Sequence, residues 1–270
     1  MVMSGRLSSV VLIGLSVIAV CIGCSVKEDR SVCPCVVMLD LSRVDPDRSD
    51  SLSLSLLSAD GFLHRCTIHC ENYGYVYEVP VPKGKISANV YSVESGFPDF
   101  TRMTGEDGAS LSIPYGEECP AVNMFSSCLD ASGETLAVPV VLHKNYCVLT
   151  VSMVADEGSD FRLVIEGNVD GYGVNGGIHY GGFSFDPVLD ENGSCTVRIP
   201  RQSDGSLKLL ISDGDGVLRE FAIGEYIIES GYDWSAPDLE DVSVMIDYAK
   251  TDVTFVVNDW EVAFDIDVEI

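Results

Sequence analysis

Apolar and polar residues alternate with a period of two along most of the chain. Val37, Leu39 and Leu41 alternate with Met38, Asp40 and Ser42, and Leu52, Leu54 and Leu56 alternate with Ser51, Ser53 and Ser55. Leu207, Leu209 and Ile211 mark one face of a later segment, and Val242, Val244, Ile246 and Tyr248 mark another. A strand points successive side chains to opposite faces, so each run predicts a strand with one face in a core. The C-terminus has the longest run. There Val262, Phe264, Ile266, Val268 and Ile270 alternate with Glu261, Ala263, Asp265, Asp267 and Glu269. A one-residue slip would turn the acids inward, so the register is strongly specified.

Turn chemistry separates the runs: Ala59-Asp60-Gly61, Pro82-Lys83-Gly84, Asp190-Glu191-Asn192-Gly193, Ser203-Asp204-Gly205 and Asp213-Gly214-Asp215-Gly216. Short strands with frequent turns predict β-sandwiches rather than βαβ units. No long stretch has helical apolar spacing, and Gly224–Ser230 can form one helical turn. After the apolar Val140–Leu142, the polar His143-Lys144-Asn145 intervenes. A new alternation then opens at Cys147, Leu149, Val151 and Met153. This places a domain boundary near Leu142, with no convincing internal sequence repeat on either side. The expected organisation is all-β, with one sandwich over 36–142 and a second over 143–270.

The first residues read as an address. Residues 1–23 hold one cation, Arg6, and no acid, and Val10–Val20 is an apolar run too short to span a bilayer. It leads to Cys21-Ile22-Gly23-Cys24, where a small residue before a cysteine resembles a bacterial lipobox. Residues 1–23 are then a lipoprotein signal peptide, Cys24 is the lipid-attachment site, and 24–35 is a tether. Cys21 stands where that motif usually has Leu, and an ordinary secretory cleavage is the alternative. Three acyl chains on one cysteine give effectively permanent anchoring, at roughly 0.8 kcal/mol per buried CH₂. Lys27-Glu28-Asp29 follows directly and resembles the surface-export signal of Bacteroidetes-type lipoproteins; a solvated tether would look the same.

Composition narrows the function. The formal net charge is −26, which repels nucleic acid and anionic head groups and excludes nucleic acid as a partner. Removing the signal peptide makes the chain more acidic still. Eight cysteines follow Cys24, at 33, 35, 66, 70, 119, 128, 147 and 195. Export permits disulfides, but eight cysteines allow 105 pairings and none is assigned. Cys33-Pro34-Cys35 is too tight to close easily on itself, so each of the two is a buried thiol or pairs elsewhere. His64, Cys66, His69 and Cys70 spread over both faces of a strand rather than forming a zinc set.

Catalytic signatures are missing: the sequence has no phosphate loop with its Lys-Ser/Thr and no GxSxG elbow. Gly171-Tyr172-Gly173-Val174-Asn175-Gly176 reads as a glycine-rich β-loop, since no long helix follows. Asp213–Gly216 reads as a hairpin turn without the later glutamate of a calcium loop. Neither a catalytic residue nor a cofactor or metal site is assigned.

Several segments, in order along the chain, resemble the lipoprotein anchor subunits of Bacteroidetes-type (type V) fimbriae, the minor and major fimbrillin-anchor family. They are Lys27–Cys35, Leu142-His143-Lys144, Ile165–Tyr172, Gly224-Glu225-Tyr226-Ile227, Ser230–Trp234 and Val256–Trp260. The resemblance implies two transthyretin-like, Greek-key sandwiches. It also implies a lipid-held outer-membrane protein, facing outward, that binds a fimbrial shaft subunit and often limits pilus length. Shaft subunits lose their first strand to cleavage after a basic residue, and the groove takes a strand from a neighbour; anchors keep theirs. Arg43 and Arg48 lie where such a cut would fall, and none is expected. The run Val262, Phe264, Ile266, Val268 and Ile270 suits donation by strand addition and equally suits completing its own domain. The alternative function is a surface lipoprotein that binds glycan, for which Tyr73, Tyr75 and Tyr77 could form an aromatic row.

Overall fold

The computed structural model describes residues 33–46, 50–92, 111–154, 161–173, 176–212 and 218–247, and the backbone of 252–257 and 260–265. The described residues are dominated by strands, and the fold is an all-β sandwich. The first half contributes β1 (Cys35–Asp40), β2 (Ser51–Ser58), β3 (Leu63–His69), β4 (Val76–Val81), β5 (Lys85–Ser92), β6 (Leu111–Ser112), β7 (Asn123–Asp130), β8 (Thr135–Pro139) and β9 (His143–Lys144). The second half contributes β10 (Tyr146–Val154), β11 (Arg162–Tyr172), β12 (Ile178–Phe185), β13 (Ser194–Pro200), β14 (Lys208–Ser212), β15 (Leu218–Phe221), helix α1 (Ile223–Glu229), β16 (Val242–Asp247), β17 (Asp252–Val257) and β18 (Trp260–Asp265).

Two pairs of sheets stack face to face. In the first, β4-β1-β8 covers β3-β2-β5-β7-β9; in the second, β13-β10-β16-β17-β18 covers β12-β11-β14-β15. The predicted alternations supply the inner faces. Val37, Leu39, Leu52, Leu56 and Ile86 are fully buried in one core, and Leu149, Val151, Leu207, Leu209, Ile211 and Val242 in the other.

The topology repeats although the sequence does not. The opening strand of each sandwich lies between an antiparallel and a parallel neighbour: β1 between β4 and β8, β10 between β13 and β16. The facing sheets also run in matching order, β3-β2-β5-β7 and β12-β11-β14-β15. Among the described residues, each sandwich is therefore one seven-strand unit. The hairpin β17–β18 lies outside that unit, added beyond β16. α1 links β15 to β16 and is longer than the single turn expected, because Ile223 and Ile227 reach the second core.

The two sandwiches exchange short strands. β6 pairs with the end of β11 in the second sandwich, while β9 pairs with the start of β7 in the first. A small apolar cluster of Val122, Met124 and Tyr172 fills the space between, with Tyr91 and Leu111 against it.

Candidate functional site

The features expected to carry function fall at three places: the first strand, the joint between sandwiches, and the last hairpin. Cys24, Lys27, Glu28 and Asp29 lie outside the described residues, as do Arg48 and Ile266, Val268 and Ile270. Cys33 is exposed, and Cys35 is fully buried as the first inward residue of β1. Burial pushes the Cys35 thiol above its ordinary value, against the opposing charge of Lys83. Val262 and Phe264 sit in β18, opposite Phe255 and Val253.

β1 fills a slot. Its residues pair in register with β4 from Cys35↔Val81 to Asp40↔Val76, and with β8 from Val36↔Thr135 to Asp40↔Pro139. Cys35, Val37, Leu39 and Leu41 are all fully buried. Removing this strand would leave two sheet edges unpaired and open a strand-shaped groove in the core, the geometry that β-strand addition requires. Arg43 is exposed in the turn just after it, where Val44 N donates to Leu41 O at 3.0 Å. β18 is different, because among the described residues it pairs with β17 alone and forms the edge of its sheet.

The joint is built around Arg201, which local sequence does not mark. Its Nε donates to Asn145 Oδ1 at 2.9 Å, and Nη1 donates to Ala236 O at 2.8 Å and to Trp234 O. Nη2 donates to Pro237 O at 3.1 Å. The Tyr172 hydroxyl donates to Asn145 O and accepts from Arg201 N at 3.0 Å, while Asn145 N donates to Val122 O at 2.9 Å. Burial draws the guanidinium below its ordinary value, opposed by charges that include Asp233 and Asp238. Asp238 accepts from His143 Nδ1 at 2.9 Å and from Lys144 N at 2.8 Å. The His143 bond is the main cause that holds its carboxyl below the usual range.

This geometry accounts for several of the motifs behind the family resemblance. A Cβ on Gly171 would lie 1.6 Å from Leu111 O, so only glycine lets β6 cross there. Gly176 has a positive φ of 74° and presses on Ser126 of β7, where a Cβ would lie 2.2 Å from the hydroxyl. Gly171, at the end of β11, and Gly176 therefore allow close approach at the joint between the sandwiches. His143 and Lys144 form β9, and the Ser230–Trp234 segment delivers the Trp234 carbonyl to Arg201.

Other chemistry is arranged for structure. Ser112 Oγ and His179 Nδ1 both bond to Asp170, at 3.3 Å and 2.5 Å. An activated serine needs the imidazole between hydroxyl and carboxylate; here the carboxylate lies between them. Burial pushes the thiols of Cys147 and Cys195 up to about 12 and about 11, which leaves them protonated and unreactive at neutral pH. Among the described residues, no three His, Cys, Asp or Glu side chains converge on one point, and no helix is long and apolar enough to cross a membrane. The tyrosine row does not form. Tyr73 is buried in the turn after a 3₁₀ segment, Tyr75 is exposed, and the Tyr77 hydroxyl meets the Cys66 thiol. The 3₁₀ turn breaks the strand periodicity the row required.

No protein-family model matches the chain, and no curated protein sequence matches it. Solved structures share its fold. A provisionally named polysaccharide-binding protein of Bacteroides thetaiotaomicron superposes with a TM-score of 0.60 at 12% identity, over 86% of this chain and 98% of that one. A provisionally named adhesin of Bacteroides ovatus gives 0.57 at 10% identity, over 86% and 96%. The fimbrial anchor protein Mfa2 of Porphyromonas gingivalis gives 0.55 at 12% identity, over 85% and 99%. At these identities the likeness is one of fold, and the chain has the β-sandwich fold of fimbrial and adhesin proteins of Bacteroidetes.

Proposed function

We propose that this protein is an outer-surface lipoprotein, attached through Cys24, that anchors a fimbria and binds its shaft subunit by strand complementation. It works as a structural tether rather than as an enzyme. The observation that carries the reading is the place of β1. The first strand is an integral, doubly paired part of the first core, as suits a subunit that keeps it. The chain also offers a segment for strand exchange in β17–β18, a hairpin outside the repeated unit whose outer edge has no partner among the described residues. The domains are taken as 36–142 and 143–270, after the tether 24–35.

Deleting the gene should shed fimbriae into the medium, and Cys24→Ala should release the protein from the membrane fraction. Surface protein should keep its mass from residue 24 onward. Loss of residues 24–43 or 24–48 would mark a shaft subunit instead. The glycan-binding alternative loses its aromatic row, since Tyr73 is buried.

A further inference from the structure

The direction of β1 in the fold has a mechanical consequence. Its N-terminal end lies beside Val81 and Glu134, where Val36 N donates to Glu134 O at 2.9 Å. Its C-terminal end lies at the joint. There Val140 N donates to Asp40 O at 3.0 Å, and Arg43, Val44 and Asp45 line a cavity of about 90 Å³ with Ser92, Asn123, Val141 and Leu142. β1 therefore runs along the first sandwich from the tether end to the joint end. β8 runs parallel beside it and continues directly through Val140–Leu142 into β9, Asn145 and β10.

We propose that β1 and β8 form a shear-loaded clamp through which tension passes from the N-terminal tether to the second sandwich. A pull on the tether draws β1 toward its N-terminus, while the second sandwich draws β8 toward its C-terminus. The strands are parallel, so opposite ends are pulled and every bond of the ladder from Val36↔Thr135 to Asp40↔Pro139 is loaded at once. The ladder to β4 on the other side and the fully buried Val37 and Leu39 resist the same slide. Peeling, in contrast, would break pairs one at a time. The second sandwich repeats the device, with β10 parallel to β16 from Leu149↔Val242 to Val154↔Asp247. The joint couples the two through strand exchange and the Arg201 bonds. The clamp rests on the tether reading only for the source of the tension.

Single-molecule pulling tests it on the whole mature chain. In one geometry the handles sit at the N-terminus and in the Glu191–Asn192 turn, at the far end of β10, where Met153 N donates to Gly193 O. Both sandwiches are then sheared. In the other geometry the second handle sits in the Pro82–Gly84 turn, beside the N-terminal end of β1, so that β1 is peeled from β4. The extension released at each event identifies the sandwich that opened. The first sandwich should rupture at a several-fold higher force in shear than in peeling. Equal forces, or a lower force in shear, would overturn the clamp. Membrane attachment and fimbrial shedding play no part in this readout, so the clamp and the tether reading fail separately.

Discussion

The two sandwiches share one seven-strand topology but treat their parallel strand differently. Among the described residues, β8 is a sheet edge in the first and leads straight into the joint; in the second, β16 is covered by β17 and the sheet grows to β18. The first sandwich is thus closed by its own N-terminal strand, and the second is extended at its C-terminus. Strands with the same alternation, β1 and β18, end up in opposite situations. One is paired on both sides and the other on one side. Alternation says that a strand has an inner face; it does not say how many neighbours the strand has.

The comparison can be broken at its strongest point first. Leu39→Ala in β1 and Leu149→Ala in β10 each remove a fully buried side chain from the corresponding strand. Each should cost about 2–5 kcal/mol, read from urea unfolding. A cost near zero for Leu39 would mean that β1 is not an integral strand.

A proline scan sharpens the contrast between first and last strands. Every interior position of β1 faces a neighbour on both sides, so each proline should leave ladder groups unsatisfied at about 1–3 kcal/mol. In β18 every second N–H points to the edge that has no partner among the described residues, so tolerated and damaging positions should alternate. Uniform damage across β18 would show that its outer edge is occupied.

Gly171→Ala addresses the joint. The added Cβ collides with backbone at Leu111 rather than with a flexible side chain. It should cost about 1–3 kcal/mol through displaced packing and should speed proteolysis at β6 more than within either core.

Acid gives the smallest effect. Asp238 has its carboxyl held low by His143, so its contribution is complete above the ordinary carboxylate value. That contribution is lost as pH falls through the lower folded value. The unfolding midpoint should drop on acidification below about pH 4, and Asp238→Asn should flatten that drop. An unchanged pH profile in Asp238→Asn would remove Asp238 as a stabilising contact between β9 and its neighbouring loop.

Much of the architecture was legible in the chain. Period-two runs located β1, β2, β10, β14 and β16, because strand faces are set by local sequence and burial. Turn chemistry was equally local: Asp190 Oδ1 accepts from Asn192 N at 2.8 Å and from Ser194 N at 2.9 Å, and Gly193 takes a φ of 73°. The tyrosine row failed because spacing alone cannot see the 3₁₀ turn that buries Tyr73. The topological repeat was invisible because two sequences can satisfy the same alternation with different residues.

The sequence by itself determined the strands with clean alternation, the turns marked by Gly, Asp and Asn, and which faces of those strands turn inward, since each follows from residues adjacent in the chain. Only the tertiary structure decided which strands are neighbours, that β1 is central and β18 an edge, and that Arg201, Asn145 and Tyr172 meet. Those outcomes join residues far apart along the chain. Their energies come from packing and hydrogen bonds that exist only once both sandwiches have closed around the joint.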